Sequence, residues 1–163
     1  MTKPDPTYVT RRALAADEPA IQRLVRSERL NPHHLHFRNF VVAMAGDELI
    51  GASQIRRHRD GSLELGSVVV ARAWRGQGIS AALIDRLLYD EQGAVHAITR
   101  KRHAHHYARW GFAPVSARQA PAAIRRNYRI GSVIGGTMAV FQRRQINWLT
   151  ILRRPALAAL RAA

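Results

Sequence analysis

The sequence predicts an α/β domain of the α+β type: a mixed, mostly antiparallel central sheet of about seven strands flanked by helices. Three observations predict it. Short β-rich runs separated by Gly-containing turns fill residues 37–70, which is the pattern of an antiparallel meander. After Val70 helical and strand patterns alternate. The length, 163 residues with 47% hydrophobic and 23% charged, suits one globular domain with one core.

Residues 7–14 read as a first strand through Tyr8, Val9 and Leu14. Asp17 reads as a helix N-cap with Pro19 in the first turn. Ile21, Leu24 and Val25 recur at helical spacing, so residues 18–30 form an amphipathic helix that Asn31-Pro32 stops. Residues 37–45, 49–57 and 62–70 are strands joined by the turns Gly46-Asp47-Glu48 and Arg59-Asp60-Gly61. A helix then carries Ile79, Leu83, Ile84, Leu87 and Leu88 on one face and ends at Gly93. Residues 94–98 are a fifth strand, and 102–110 a helix closed by Gly111. Residues 112–115 begin a sixth strand, 121–128 a short helix, and 137–143 a last strand.

Charge is the unusual feature. There are 26 basic and 11 acidic residues, a net of +15. All acids lie at or before Glu91, where the running net is only +2; residues 92–163 contribute +13. Such a segment should meet something anionic: a phosphorylated cofactor, a nucleic acid or a membrane surface. Only Lys3 and Lys101 are lysines, so codon bias towards arginine also inflates the number. The absence of cysteine excludes disulfide scaffolds, zinc fingers, iron–sulfur sites and a cysteine nucleophile. Residues 1–14 hold no apolar run of signal-peptide length, and no run of 18 apolar residues occurs; the expected address is cytoplasmic.

The chemical signal is Arg75-Gly76-Gln77-Gly78-Ile79-Ser80, between a strand and an amphipathic helix. Glycines there let the backbone turn tightly and approach a ligand. The unpaired first N–H groups of the helix and its dipole then suit a pyrophosphate, with Arg75 adding a cation. The plain alternative is a turn and nothing more. The letters also fit the dinucleotide fingerprint, but residues 71–75 intervene after the strand, a long antiparallel sheet precedes it, and no acid follows at the required distance. Arg100, Lys101 and Arg102 near that point leave an NADP-binding reading open. No Gly-Lys-Ser/Thr follows, which excludes a P-loop.

Val68-x-Val70, then Arg75-Gly76-x-Gly78-Ile79-Ser80, then Tyr107-Ala108-Arg109-Trp110-Gly111-Phe112, resemble in order and spacing the GNAT superfamily of acetyl-CoA-dependent N-acetyltransferases. Residues 31–100 together with Ile124-Arg125-Arg126-Asn127-Tyr128 more loosely resemble its branch with N-acetylglutamate-synthase-type domains. The resemblance implies a sheet splayed between the fourth and fifth strands, with acetyl-CoA as co-substrate in the gap. It implies that the backbone of Val68, Val69 and Val70 bonds the acetyl carbonyl and pantetheine. The backbone of Arg75, Gly76, Gln77, Gly78, Ile79 and Ser80 would hold the pyrophosphate. Ser80 stands where the family usually has Gly or Ala, and Arg72 where proline is frequent.

Acetyl transfer to an amine needs deprotonation of an ammonium that is roughly 0.1% neutral at pH 7, stabilisation of an oxyanion, and a proton for the leaving thiolate. Without cysteine, direct attack in a ternary complex is the expected route. By resemblance Glu64, six residues before Val70, is the base, acting directly or through a water; alternation would place it on one face with Val68. The plain alternative is a solvated strand-edge acid. By resemblance Tyr107, four residues before Gly111, protonates the thiolate; the plain alternative is a packed aromatic. The asparagine common seven residues earlier is Arg100 here. His103 and His106 share a helix face but lack an acidic co-ligand, so no metal is expected. His33, His34 and His36 lie in a loop where the resemblance places the acceptor pocket; the plain alternative is a surface loop.

Residues 1–144 are thus expected to form the GNAT-like domain and 145–163 a basic amphipathic helical extension. Arg143, Asn147, Thr150, Arg154 and Arg161 would make its cationic stripe. Such a helix suits a membrane surface, its own domain or a homodimer contact. The expected partners are acetyl-CoA and an amine substrate with an acidic group. The rival reading is a module that binds nucleic acid or another anionic surface through the basic half. It lacks a recognisable nucleic-acid motif, and aromatics are only 7%.

Overall fold

The computed structural model of the protein describes residues 7–28, 30, 34–141 and 148–157, with backbone alone for 133–141. Its strands are β1 Val9–Arg12, β2 Phe40–Ala45, β3 Glu48–Arg57, β4 Leu63–Val70, β5 Val95–Arg100, β6 Ala113–Val115 and β7 Leu149–Arg154. Its α-helices are α1 Glu18–Ser27, α2 Ile79–Leu88 and α3 Ala122–Phe141. Hydrogen bonding orders the sheet β1-β2-β3-β4-β5-β7-β6, with β4 and β5 parallel. The mixed seven-stranded sheet is the one the sequence predicts. Contacts divide the chain into unit 1, Met1–Ile55 with Gly66–Glu91, and unit 2, Arg56–Leu65 with Gln92–Ala163.

In unit 1, β1 and β3 flank β2 antiparallel, and Phe40, Val41, Val42 and Ala43 of β2 are fully buried. A strand covered on both faces is a continuous apolar run rather than an alternating one. Ile21 and Val25 of α1, one turn apart, join Phe40, Val42, Ala52 and Val69 in one core. α2 buries Ile79, Leu83, Ile84, Leu87 and Leu88. It lies so close to β3 that a Cβ on Gly51 would sit 3.0 Å from Ile79 Cγ2 and 3.3 Å from the Val69 carbonyl. Asp17 does not cap α1 as expected: it accepts from Leu14 N–H at 2.7 Å, at the start of the preceding 3-10 turn, and pairs with Arg11 at 2.6 Å.

In unit 2, Leu63, Glu64 and Leu65 pair in parallel with Val95, His96 and Ala97, while β7 pairs antiparallel with all of β5 and with β6. Ala120 and Ile124 pack on Ile151 and Ile98. Gly131 lets α3 pass close to β7, because a Cβ there would sit 3.1 Å from Leu149 Cδ1. A 3-10 helix, Lys101–Trp110, follows β5 and ends at Gly111, whose φ of 77° is the left-handed cap the sequence predicts.

Two expectations fail in this unit. The short helix expected over 121–128 runs on to Phe141, through most of the residues expected as the last strand. Single glycines cost a helix about 1 kcal/mol each, too little to end one of this length. The segment expected as an amphipathic tail helix instead supplies β7, hydrogen-bonded on both edges. Its run Trp148-Leu149-Thr150-Ile151-Leu152 does not alternate because Ile151, Leu152 and Arg154 are all buried, so it mimics a helical face in sequence. Of the expected cationic stripe, Thr150 and Arg154 lie in β7, and Arg143, Asn147 and Arg161 fall outside the described residues. Among the described residues no helix is long and apolar enough to cross a membrane.

Candidate active site

The glycine turn and the end of β4 belong to unit 1. β4 passes through Ala71, whose N–H donates to Ile50 C=O at 2.8 Å, and the 3-10 turn Arg72–Trp74 before reaching Arg75. Gly76 and Gly78 have φ of 79° and 76°, and a Cβ at either would meet nothing within 4 Å. They are glycines for conformation, not for want of room. The Ala82 N–H to Gly78 C=O bond of 3.0 Å opens the helix, so the amides of Ile79, Ser80 and Ala81 precede its first intrahelical donor. Amides without an intrahelical acceptor at a helix start are a place that suits an anion. The buried side chains of Ile79 and Leu83 fix the turn from below.

Arg75 is not the free cation expected at the mouth of this turn. Its Nε donates to Val70 C=O at 3.2 Å and its Nη2 pairs with Glu28 at 2.5 Å. Val69 is buried, with Val68 and Val70 half-buried. Before them, Ser67 adopts φ 51°, which costs a non-glycine residue about 1–2 kcal/mol. Its Oγ accepts from the buried Gln54 Nε2 at 2.9 Å, and the Ser53 hydroxyl donates to Gly66 C=O at 3.4 Å.

Glu64 belongs to unit 2 and is only 5% exposed, so it is not a solvated edge acid. Arg56 Nη1 lies 3.3 Å from its Oε1, while His58 Nε2 and Asn127 Nδ2 each lie 2.8 Å from its Oε2. Burial draws the Arg56 guanidinium below its ordinary value, and Glu64 opposes that shift. None of these three partners is a sequence-predicted site residue. The Arg56 pairing had a signal: His58 N–H bonds Ser62 C=O at 2.9 Å across the turn, and counting two residues back along each strand sets Arg56 against Glu64. Asn127, 63 residues away, had none.

His96, level with Glu64 on β5, is 4% exposed, and neither ring nitrogen makes a hydrogen bond of good geometry. Burial, then Arg153, push its pKa down; the Leu63 backbone and the Glu64 charge pull the other way. Burial raises the Tyr107 phenol above its ordinary value, against a smaller opposite effect of Thr99. The Tyr107 ring meets Phe112 edge-on at 5.8 Å. His96 and Thr99, three residues apart on β5, point to opposite faces, so the surroundings of Glu64 and Tyr107 differ.

His103 stacks on His106 and His105 lies tilted against His106, with burial and then Arg102 holding His103 below its ordinary value. Among the described residues no group of three His, Asp or Glu is placed to hold a metal ion. His36 Nδ1 accepts from Arg38 N–H at 3.4 Å, and His33 lies outside the described residues.

Residues 36–114 match the family model of the acetyltransferase (GNAT) domain. No curated protein matches the chain by sequence. Among solved structures the chain is similar to N-acetylglutamate synthase from Neisseria gonorrhoeae in complex with coenzyme A and N-acetyl-glutamate. The identity is 19% and the TM-score 0.68, over 91% of this chain and 35% of that one. The chain thus spans about a third of that enzyme's length. It is similar to Rv2747 from Mycobacterium tuberculosis, in complex with CoA, at 25% identity and TM-score 0.64, over 89% and 97% of the two chains. It is also similar to the diaminobutyrate acetyltransferase of Paenibacillus lautus, in complex with L-2,4-diaminobutyric acid and coenzyme A. There the identity is 16% and the TM-score 0.61, over 92% and 96%.

Proposed function

We propose that this chain, which carries a GNAT acetyltransferase domain over residues 36–114, moves an acetyl group from acetyl-CoA to a primary amine of a small molecule or peptide. The observation that carries the reading is the turn before α2, where two glycines at positive φ leave open space against three helix-start amides. Acetyl-CoA brings the acetyl group as a thioester. The amides from Arg75 to Ser80 hold its pyrophosphate, and the backbone of Val68, Val69 and Val70 receives the acetyl carbonyl and pantetheine. Arg75 turns from Glu28 towards the phosphates when they bind.

Glu64 belongs to the base that strips the ammonium, directly or through a water. Its partners hold the carboxylate in one orientation, so the group it serves needs no reorganisation at the moment of reaction. Tyr107 donates the proton that the leaving thiolate requires. The phenol, which ordinarily ionises only at about pH 10, is protonated at neutral pH and so carries the proton to be given. Attack occurs directly in a ternary complex, since the chain has no cysteine to carry an acetyl group. The acceptor is an amine with an acidic group. Unit 2, with 16 basic and 2 acidic residues, supports that class, as do the amino-acid ligands named for the two enzyme neighbours.

Acetyl-CoA is expected to raise the unfolding temperature at micromolar concentration while NADPH does not; no shift with any CoA ester ends the reading. Free-thiol release with a panel of amino acids, polyamines, aminoglycosides and peptide N-termini then identifies the acceptor.

A further inference from the structure

We propose that His58 takes the proton from the attacking amine and that Glu64 is its positioning residue, fixing the imidazole from behind. This assignment rests on the acetyl-transfer reading above and refines its base. The Glu64 carboxylate already has three partners, Arg56 donating to Oε1, Asn127 donating to Oε2, and His58 in contact with Oε2. A proton placed on Oε2 would face two N–H donors at 2.8 Å, and one placed on Oε1 would face the guanidinium. Either position forfeits hydrogen bonds in a buried site, where an unmade bond costs most.

His58 has the complementary arrangement. In the tautomer whose Nε2 carries the hydrogen of the 2.8 Å contact to Oε2, Nδ1 is the lone-pair nitrogen of the ring. In the step, an N–H bond of the substrate ammonium breaks and its electron pair stays on nitrogen as the nucleophile. The proton bonds to Nδ1, and the imidazolium so formed is balanced by Glu64 across the Nε2 contact. His58 keeps 13% of its side-chain exposure against 7% for Glu64, which gives the proton a way out to solvent.

The other charged groups around this cluster are Arg56 on β3, Asp60 in the turn, His96 on β5 and Arg153 on β7. From α3, Asn127 is neutral, and Arg125 turns back to the Ala120 carbonyl at 3.4 Å. His96 is not a rival base: it is more deeply buried, and neither ring nitrogen hydrogen-bonds the carboxylate.

The test uses the full chain and the amine that the panel selects. His58→Ala is expected to lower kcat about a hundredfold with acetyl-CoA binding intact, and added imidazole to restore activity in proportion to its concentration. Glu64→Gln is expected to be slow and unresponsive to imidazole. His58→Gln keeps a donor towards Glu64 but no proton acceptor, and is expected to be as slow as His58→Ala. Wild-type kcat in His58→Gln would show that the ring only positions Glu64 and would overturn the assignment. So would a loss in His58→Ala that imidazole leaves untouched. A wild-type chain that releases no thiol with any amine removes the reading itself, and this refinement with it.

Discussion

Unit 1 carries 10 basic and 9 acidic residues; unit 2 carries 16 and 2. Yet the turn proposed to hold phosphate lies in the nearly neutral unit, built from backbone amides and two left-handed glycines, and its one arginine is paired with Glu28. The basic unit instead keeps both of its acids occupied. Glu64 is buried in a four-residue network, and Asp60 accepts from Ser62 and from Ala123 N–H at the start of α3. The contrast teaches that anion recognition and net charge need not coincide. Phosphate is met by geometry in unit 1, and the proposed proton chemistry by placed side chains in unit 2.

The largest expected effect separates the two roles. Glu64→Gln should lower kcat by about 10²–10⁴-fold while acetyl-CoA binds as before, read from initial rates of thiol release and from calorimetric titration. A parallel loss of binding would mean that the units do not divide the work this way. Tyr107→Phe should cost less, about ten- to a hundredfold in kcat. Its raised phenol pKa also carries a stability signature. The unfolded chain ionises Tyr107 at about pH 10, below the folded value, so stability should fall as pH rises past about 10. The Phe variant should lack that fall.

Smaller again is the backbone term in unit 1. Gly78→Ala meets no neighbouring atom but must hold φ near 76°, so about 1–2 kcal/mol should be lost, seen as a lower unfolding midpoint and weaker acetyl-CoA binding. The smallest effect compares one acid from each unit. Hydrogen bonds from Ser62 and Ala123 hold Asp60 down at about 2, and the bond from Arg11 lowers Asp17. Both folded values lie below the unfolded ones, so each contribution is complete above about pH 4 and fades as pH falls. Asp60→Asn should flatten the acid limb of a pH–stability curve only slightly, because Asp60 is exposed.

The meander, the helix-start turn and the Gly111 cap were legible because each rests on local chemistry: hairpin turns, glycine conformation and helical spacing. The sequence misleads where burial is two-sided. β7 lies between β5 and β6, so Ile151 and Leu152 are buried in succession and the strand loses its period of two. The same limit hid most of the Glu64 site. Arg56 and His58 stand across a hairpin turn and were within reach of a register count, but Asn127 arrives on a helix whose packing only the tertiary fold fixes. Glu28 escaped notice because its partner Arg75 lies 47 residues on, in a different element.

On this reading the turn before α2 binds a CoA ester independently of the Glu64 network. Calorimetric titration of acetyl-CoA into the wild-type chain and into Glu64→Gln tests it most directly. Saturable binding of similar micromolar affinity in both, with none for NADPH, is the expected result. No binding of acetyl-CoA to the wild-type chain, or equal binding of NADPH, would contradict it.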